Sequence, residues 1–180
     1  EGGGHTGTVA TMALVPQVVD AVGDKVPVVA AGGLFDGRGL AASLMLGADA
    51  VWVGTRFIAT PEARAVRGYK ETLVSTPEDG TVISRGFTGK TCRVVRNDWT
   101  NHYEQHPDEL LKFPDQAIHS MKQGANHLGA PSDTVVDTNR EFMPCGQGVG
   151  AINSLVPAAK IVRDIVAEAE SLLQIGRAHV

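Results

Sequence analysis

Three short stretches rich in glycine contain the residues of this chain that could do chemistry. They are Gly2-Gly3-Gly4-His5 at the start, Gly32-Gly33 after an apolar run, and Gly54-Thr55 after another. The imidazole of His5 can accept a proton near neutral pH, which makes it a candidate general base. The glycines let backbone N–H groups approach an anion closely, because no Cβ stands in the way. These residue types predict a proton-accepting histidine beside a phosphate-binding surface.

The second and third stretches each end a short apolar run, at residues 26–33 and 49–55. Continuous apolar runs of this length are typical of strands buried in a parallel sheet, and Trp52 is then expected in the core. The segments between the stretches have helical patterns, so helices and strands alternate. Alternation of this kind predicts parallel β/α units, whose loops all lie on the carboxyl face where active sites form.

The helical patterns set the expected boundaries of these units. Apolar residues with a period near 3.6 predict a helix over residues 8–22, whose regular part begins near Leu14 because Pro16 suits a first turn. Thr60, followed by proline, predicts the start of another helix that ends near Leu73.

A phosphate site is expected where two consecutive βα loops meet. Gly33 and Gly54 follow neighbouring strands, and the last two loops of β/α barrels frequently bind phosphate. Asp36 is placed to cap the intervening helix, whose positive dipole end would add to the attraction of an anion. The simpler alternative is that these glycines only make tight turns.

Residues 76–146 are polar, contain several turn signals and fit no further β/α unit. We expect an insertion or lid, with short helices at residues 103–111 and 115–123, and with Trp99 packing the segment against the barrel. The sequence GFTGKT at residues 86–91 resembles the end of a phosphate-binding P-loop, but serine stands at position 84 where that motif requires glycine.

Composition narrows the classes of partner. The 180 residues carry a net charge of −4, which does not indicate a nucleic-acid partner, and no apolar run reaches the roughly 18 residues of a membrane helix. Cys92 and Cys145 are isolated, so they indicate neither a disulfide framework nor a metal site, and a cytoplasmic location is the default expectation.

Both ends of the chain look unusual. The first residue is not methionine, and no strand precedes the first glycine stretch, so we expect the C-terminal fragment of a longer protein. The last six residues, IGRAHV, interrupt an amphipathic pattern and read as a translated sequencing adapter. The expected divisions are 1–75 for the β/α units, 76–146 for the insertion, 147–174 for a barrel-closing helix region, and 175–180 for the artefact.

The stretches EGGGHTG, PVVAAGGLFDGRGLAASLMLGADAVWVGTRFIATPEA and CGQGVGAI together resemble the nitronate monooxygenase family, formerly called 2-nitropropane dioxygenases. The resemblance implies an FMN-dependent TIM barrel. The chain would then be α/β, the C-terminal half of a (β/α)8 barrel with an irregular insertion and a long C-terminal helix. FMN-binding residues of the other half would lie outside this chain, so the chain alone is expected to be inactive.

The resemblance also implies roles for individual residues. His5 corresponds to the active-site histidine of the family. Arg56 and Phe57 would complete the second phosphate motif, and Gln147 matches a family turn without an assigned contact. The residues expected to bind FMN are Gly3, Ala31, Gly32, Gly33, Gly54 and Thr55.

The implied reaction is oxidation of alkyl nitronates, and of nitroalkanes, by O2 to carbonyl compounds and nitrite. Three alternatives stay open: an FMN-dependent enoyl-acyl-carrier-protein reductase, a barrel such as IMP dehydrogenase with a catalytic cysteine, and a phosphate-ligand-binding barrel without turnover. The implied partners are a small-molecule substrate and O2, with no metal, nucleic acid or membrane, and homo-oligomer formation remains open.

Overall fold

A computed structural model describes residues 1–177 of the chain. Five strands, seven α-helices and two 3-10 turns make up this described part. The strands are β1 (Gly4–His5), β2 (Val29–Ala31), β3 (Ala50–Trp52), β4 (Thr81–Ser84) and β5 (Cys92–Val95). The helices are α1 (Thr11–Val22), α2 (Gly37–Met45), α3 (Thr55–Ile58), α4 (Arg67–Ser75), α5 (Asp98–Gln105), α6 (Asp115–Lys122) and α7 (Ala158–Arg177), and the 3-10 turns are Pro107–Glu109 and Gln147–Ala151.

Strands β2 and β3 form the expected parallel pair, with Ala30 opposite Val51. Neighbouring residues of a strand point to opposite faces. One face is packed, since Ala30 is 1% exposed against Val15 of α1. The other face is open, and Trp52 is 73% exposed. The prediction that Trp52 lies in the core is therefore wrong, because this sheet is covered on one face within the described residues.

Two predicted helix starts are also wrong. Helix α1 begins at Thr11, so Pro16 lies inside the helix and not in its first turn. Helix α4 begins at Arg67, seven residues after the predicted cap at Thr60. The Thr60 hydroxyl does accept from the N–H of Ala63, at 3.1 Å. This bond stabilises an isolated turn that ends before α4 begins.

The segment at residues 76–146 forms an ordered antiparallel sheet with the start of the chain. The strand order is β1-β5-β4, and β1 pairs with β5 in the register Gly4 to Arg93. Helix α6 lies where predicted, but the other helix ends at Gln105 because Pro107 begins a 3-10 turn. It begins after Asn97, whose side chain accepts from the N–H of Thr100 in a capping box.

An aromatic core fills this segment. Phe87 lies 4.8 Å from Phe142 and 5.9 Å from Trp99 between ring centroids, and Trp99 contacts Tyr103 edge-on. All four side chains are buried and belong to residues 76–146. The prediction that Trp99 packs against the β/α units is therefore wrong, because its neighbours in this core come from its own segment.

Helix α7 packs along α2, where a Cβ on Gly37 would stand 2.5 Å from the Cβ of Glu168. The helix runs to Arg177, three residues past its predicted end. The remaining residues of the predicted artefact, 178–180, lie outside the described residues. Within the described part, no helix combines the length and apolarity that crossing a membrane requires.

Candidate active site

The three glycine stretches line one open cleft of about 550 Å3. His5, the turns after β2 and β3, and the exposed Trp52 all belong to its lining. His5 and all the residues predicted to bind FMN line this cleft: Gly3, Ala31, Gly32, Gly33, Gly54 and Thr55. Phe57, which was expected to help complete the second phosphate motif, is not part of the lining. The sequence therefore predicted which residues come together, although their separation along the chain exceeds fifty residues.

His5 is held by two contacts with the β4–β5 region. Its backbone pairs with Cys92 in the β1–β5 register. The Nε2 atom of its ring lies 3.0 Å from the hydroxyl oxygen of Thr88, which is 7% exposed. The rest of the imidazole is exposed at the cleft, so the ring is fixed on one edge and open to a ligand.

The turn after β2 requires its glycines. Gly32 and Gly33 have φ angles of +108° and +71°, in the left-handed region that side chains disfavour. The Thr11 hydroxyl lies 3.0 Å from the carbonyl oxygen of Gly32 and holds the turn against α1. Within the described residues, the N–H of Gly33 has no hydrogen-bond acceptor, so it is available to an anion.

The turn after β3 differs from the turn after β2, because its glycine has an ordinary backbone conformation and empty space beside it. Gly54 has an ordinary φ of −99°, and a Cβ built there meets nothing within 4 Å. Neither backbone strain nor packing within the described chain explains glycine at this position, which is consistent with space reserved for a ligand. The hydroxyl of Thr55 accepts from the N–H of Gly146 at 3.0 Å and keeps its own proton to donate.

Helix α2 does not present a free N-terminus to the cleft. Asp36 caps it as predicted, accepting from the N–H of Gly39 at 3.1 Å. A second carboxylate, Glu168 of α7, accepts from the N–H of Gly37 at 2.7 Å. The expectation that this helix dipole would help to hold an anion is wrong, because two carboxylates already occupy the helix end.

Sequence reasoning missed the role of Glu1. Its carboxylate accepts from the backbone N–H of Thr11 at 2.5 Å, and its Cβ would lie 3.2 Å from a Cβ on Gly33. Burial alone would raise the pKa of Glu1, but the hydrogen bonds from Thr11 and the charge of Arg93 together lower it. The carboxylate of Glu1 thus occupies the N-terminus of α1. Within the described residues, the N–H groups of Gly33 and Gly54 remain without an acceptor.

Arg56 and Gln147 do not line the cleft. One guanidinium nitrogen of Arg56 donates to the carbonyl oxygens of Ala59 and Ser154, at 3.1 and 2.8 Å. Burial lowers the pKa of Arg56. Its contacts join α3 to the segment before α7, so the structure gives it a bracing contact in place of the expected phosphate contact. The side chain of Gln147 is exposed, and the backbone N–H of this residue donates to the carbonyl oxygen of Glu1.

The two cysteines are poor nucleophiles. Burial raises the pKa of Cys92 to about 12, and it raises that of Cys145 to about 12 although the charge of Arg93 opposes the shift. Both therefore remain thiols at neutral pH. Cys145 instead packs against the first stretch, where a Cβ on Gly3 would stand 2.6 Å from its backbone nitrogen. The alternative that requires a catalytic cysteine lacks a suitable residue in this part of the chain.

A histidine and two glycine turns on neighbouring parallel strands line one cleft, an arrangement typical of β/α-barrel enzymes that bind a phosphorylated ligand. The sequence profile of the nitronate monooxygenase family matches residues 1–168, and the chain belongs to this family.

Individual relatives agree with this assignment. A protein of Mycobacterium tuberculosis, named as a monooxygenase, is 40% identical over 177 residues, covering 93% of this chain and 45% of that protein. The chain spans about half the length of the curated relatives it matches most fully.

Solved structures confirm the predicted fold class, the α/β architecture of half a TIM barrel. FabK from Thermotoga maritima superposes with a TM-score of 0.83 at 34% identity, covering 99% of this chain and 55% of that one. Nitroalkane oxidase from Streptomyces ansochromogenes gives 0.78 at 29% identity, covering 97% and 50%.

Proposed function

We propose that the protein carrying this chain uses FMN and O2 to oxidise alkyl nitronates, and nitroalkanes, to carbonyl compounds and nitrite. One observation carries the proposal: His5 lines the same cleft as Gly33 and Gly54, whose backbone N–H groups have no acceptor within the described part of the chain. This arrangement stands in a chain of the nitronate monooxygenase family, and one similar structure is a nitroalkane oxidase.

The glycine turns fit the phosphate of FMN. The N–H groups of Gly33 and Gly54 would donate to its oxygens, and the hydroxyl of Thr55 would add a third donor. Space at Gly54 admits the group, since no atom of the described chain occupies the Cβ position. When bound, FMN would accept two electrons and pass them to O2. The chain's contribution is to hold the group beside His5.

His5 would act on substrates that still hold their acidic hydrogen. In a neutral nitroalkane the nitro group acidifies the neighbouring C–H, and the imidazole of His5 takes that proton while the electron pair spreads onto the nitro oxygens. A nitronate has already lost this proton. Turnover of the two substrates should therefore differ in its demand for His5, since only the nitroalkane needs a base.

Nitrite release tests the proposal. The protein as encoded by its gene is loaded with FMN and given a nitronate under air, and nitrite is expected in step with substrate loss. No nitrite from either substrate class would overturn the proposal. Oxidation of NAD(P)H with an enoyl thioester would then assign an enoyl reductase, and FMN binding without turnover of any of these substrates would assign a binding protein.

A further inference from the structure

We propose that Thr88 is a positioning residue that orients His5 and supports its protonated form. The inference rests on the proposed function, because it concerns how the same base works. Thr88 belongs to the GFTGKT turn that connects β4 to β5.

The contact is specific and partly buried. Thr88 Oγ1, at 3.0 Å from Nε2, is the one hydrogen-bond partner of the His5 ring among the described residues. The charged side chains of the adjoining strand and turn have other partners: Arg93 donates to the hydroxyl of Thr81, and the ammonium of Lys90 lies 4.0 Å from the ring centre of Phe113. The ring therefore depends on a neutral hydroxyl for its orientation.

The turn that presents this hydroxyl is held by buried side chains. Trp99 and Gln116 donate to the carbonyl oxygen of Gly86, at 2.9 and 2.5 Å. Ser120 donates to the carbonyl oxygen of Phe87 at 2.9 Å. Helices α5 and α6 thus fix the peptides on the N-terminal side of Thr88, and a hydroxyl on a fixed backbone can hold a ring in one place.

Lys90, two residues further along the turn, supplies the acceptor for the hydroxyl proton of Thr88. Thr88 Oγ1 lies 3.2 Å from the carbonyl oxygen of Lys90, and the N–H of Lys90 donates to Oγ1 at 3.3 Å. With the Thr88 hydroxyl donating to this carbonyl, Oγ1 accepts from Nε2–H of His5, which leaves the lone pair of the ring on Nδ1 to take the substrate proton. No bond to hydrogen breaks at Thr88, and the same acceptor serves the neutral ring and the imidazolium.

Thr88→Val tests the proposal, because valine keeps the shape and removes the hydroxyl. Loss of this hydrogen bond should make turnover of a neutral nitroalkane about tenfold slower, which corresponds to about 1.4 kcal/mol. Turnover of a preformed nitronate should fall by less than about threefold. Thr88→Ser should restore the nitroalkane rate. Thr91→Val is the matched control, since the Thr91 hydroxyl lies at Thr6 and not at His5.

The NMR signals of the His5 ring separate this inference from the proposed function, because they need no substrate. Loss of the hydrogen bond at Nε2 should change the ring nitrogen signals of His5 in Thr88→Val and not in Thr91→Val, whether or not nitronates are substrates. Unchanged ring signals together with an unchanged nitroalkane rate overturn the role of Thr88. Equal losses on both substrates without rescue by Thr88→Ser also overturn it, because they assign Thr88 to folding alone.

Discussion

Residues 1–75 and residues 76–146 contribute to the same cleft with different groups. The first region offers backbone N–H groups on the turns at Gly33 and Gly54, and its parallel strands are covered on one face. The second acts through His5, whose ring contacts the hydroxyl of Thr88 beside a buried aromatic core around Phe87. Backbone groups follow from local turn geometry, whereas a positioned side chain needs a packed surrounding. We call residues 1–75 the open half, because their N–H groups are available to a ligand. We call residues 76–146 the closed half, because their packed side chains hold His5.

The largest expected effect tests the closed half. Phe87→Ala empties a fully buried position and should lower the free energy of unfolding by about 3–5 kcal/mol. The matched Phe113→Ala change removes a ring that is 49% exposed, and less than about 1 kcal/mol is expected. Denaturant unfolding measures both values. Equal small losses would mean that the segment is not a packed scaffold.

The next effect tests the meeting point of the two halves. His5→Asn keeps a polar group within reach of Thr88 but removes the base, so nitroalkane turnover should fall about 10²- to 10⁴-fold. Nitronate turnover should fall much less, because no proton has to be removed. Steady-state nitrite release with both substrates measures the difference. Unchanged nitroalkane turnover would remove His5 as the base.

Gly54→Val tests the open half. Its side chain would occupy the empty space over the turn, and FMN affinity should fall about tenfold to a hundredfold, or about 1.4–2.7 kcal/mol. Fluorescence titration gives the affinity, and thermal unfolding of the flavin-free protein checks the fold. A large loss of stability without loss of affinity would show that Gly54 serves packing and not ligand binding.

The smallest effect concerns the closed end of α2. Glu168→Gln weakens the cap on the N–H of Gly37 and should cost about 0.5–1 kcal/mol of stability, with FMN affinity unchanged. Glu170→Gln, on the exposed side of the same helix, is the matched control. Tighter FMN binding in Glu168→Gln would revive the idea that this helix end faces the phosphate.

The open half was predictable because its signals are local. The parallel pair and the Asp36 cap follow from residues close in sequence. The grouping of His5 with the two glycine turns follows from the rule that the loops after parallel strands of β/α units lie on one face. The start of α4 was not predictable from Thr60, because a threonine cap fits an isolated turn as well as a helix.

The features that were not predictable depend on contacts between distant residues, whichever half they lie in. Nothing near Thr88 in sequence indicates that its hydroxyl meets His5, since 83 residues separate them. The contact of Glu168 with Gly37 spans 131 residues and likewise has no local signal. The exposure of Trp52 depends on what covers a sheet face, which apolar composition alone does not report.

The 83-residue separation between His5 and Thr88 also bears on the order of folding. Closing so long a stretch of chain costs conformational entropy, whereas β2 and β3 pair across about twenty residues. We therefore expect the glycine turns to form before the histidine is fixed. A refolding chain would bind the phosphate of FMN earlier than it recovers nitroalkane turnover, and stopped-flow fluorescence beside delayed activity assays would separate the two events.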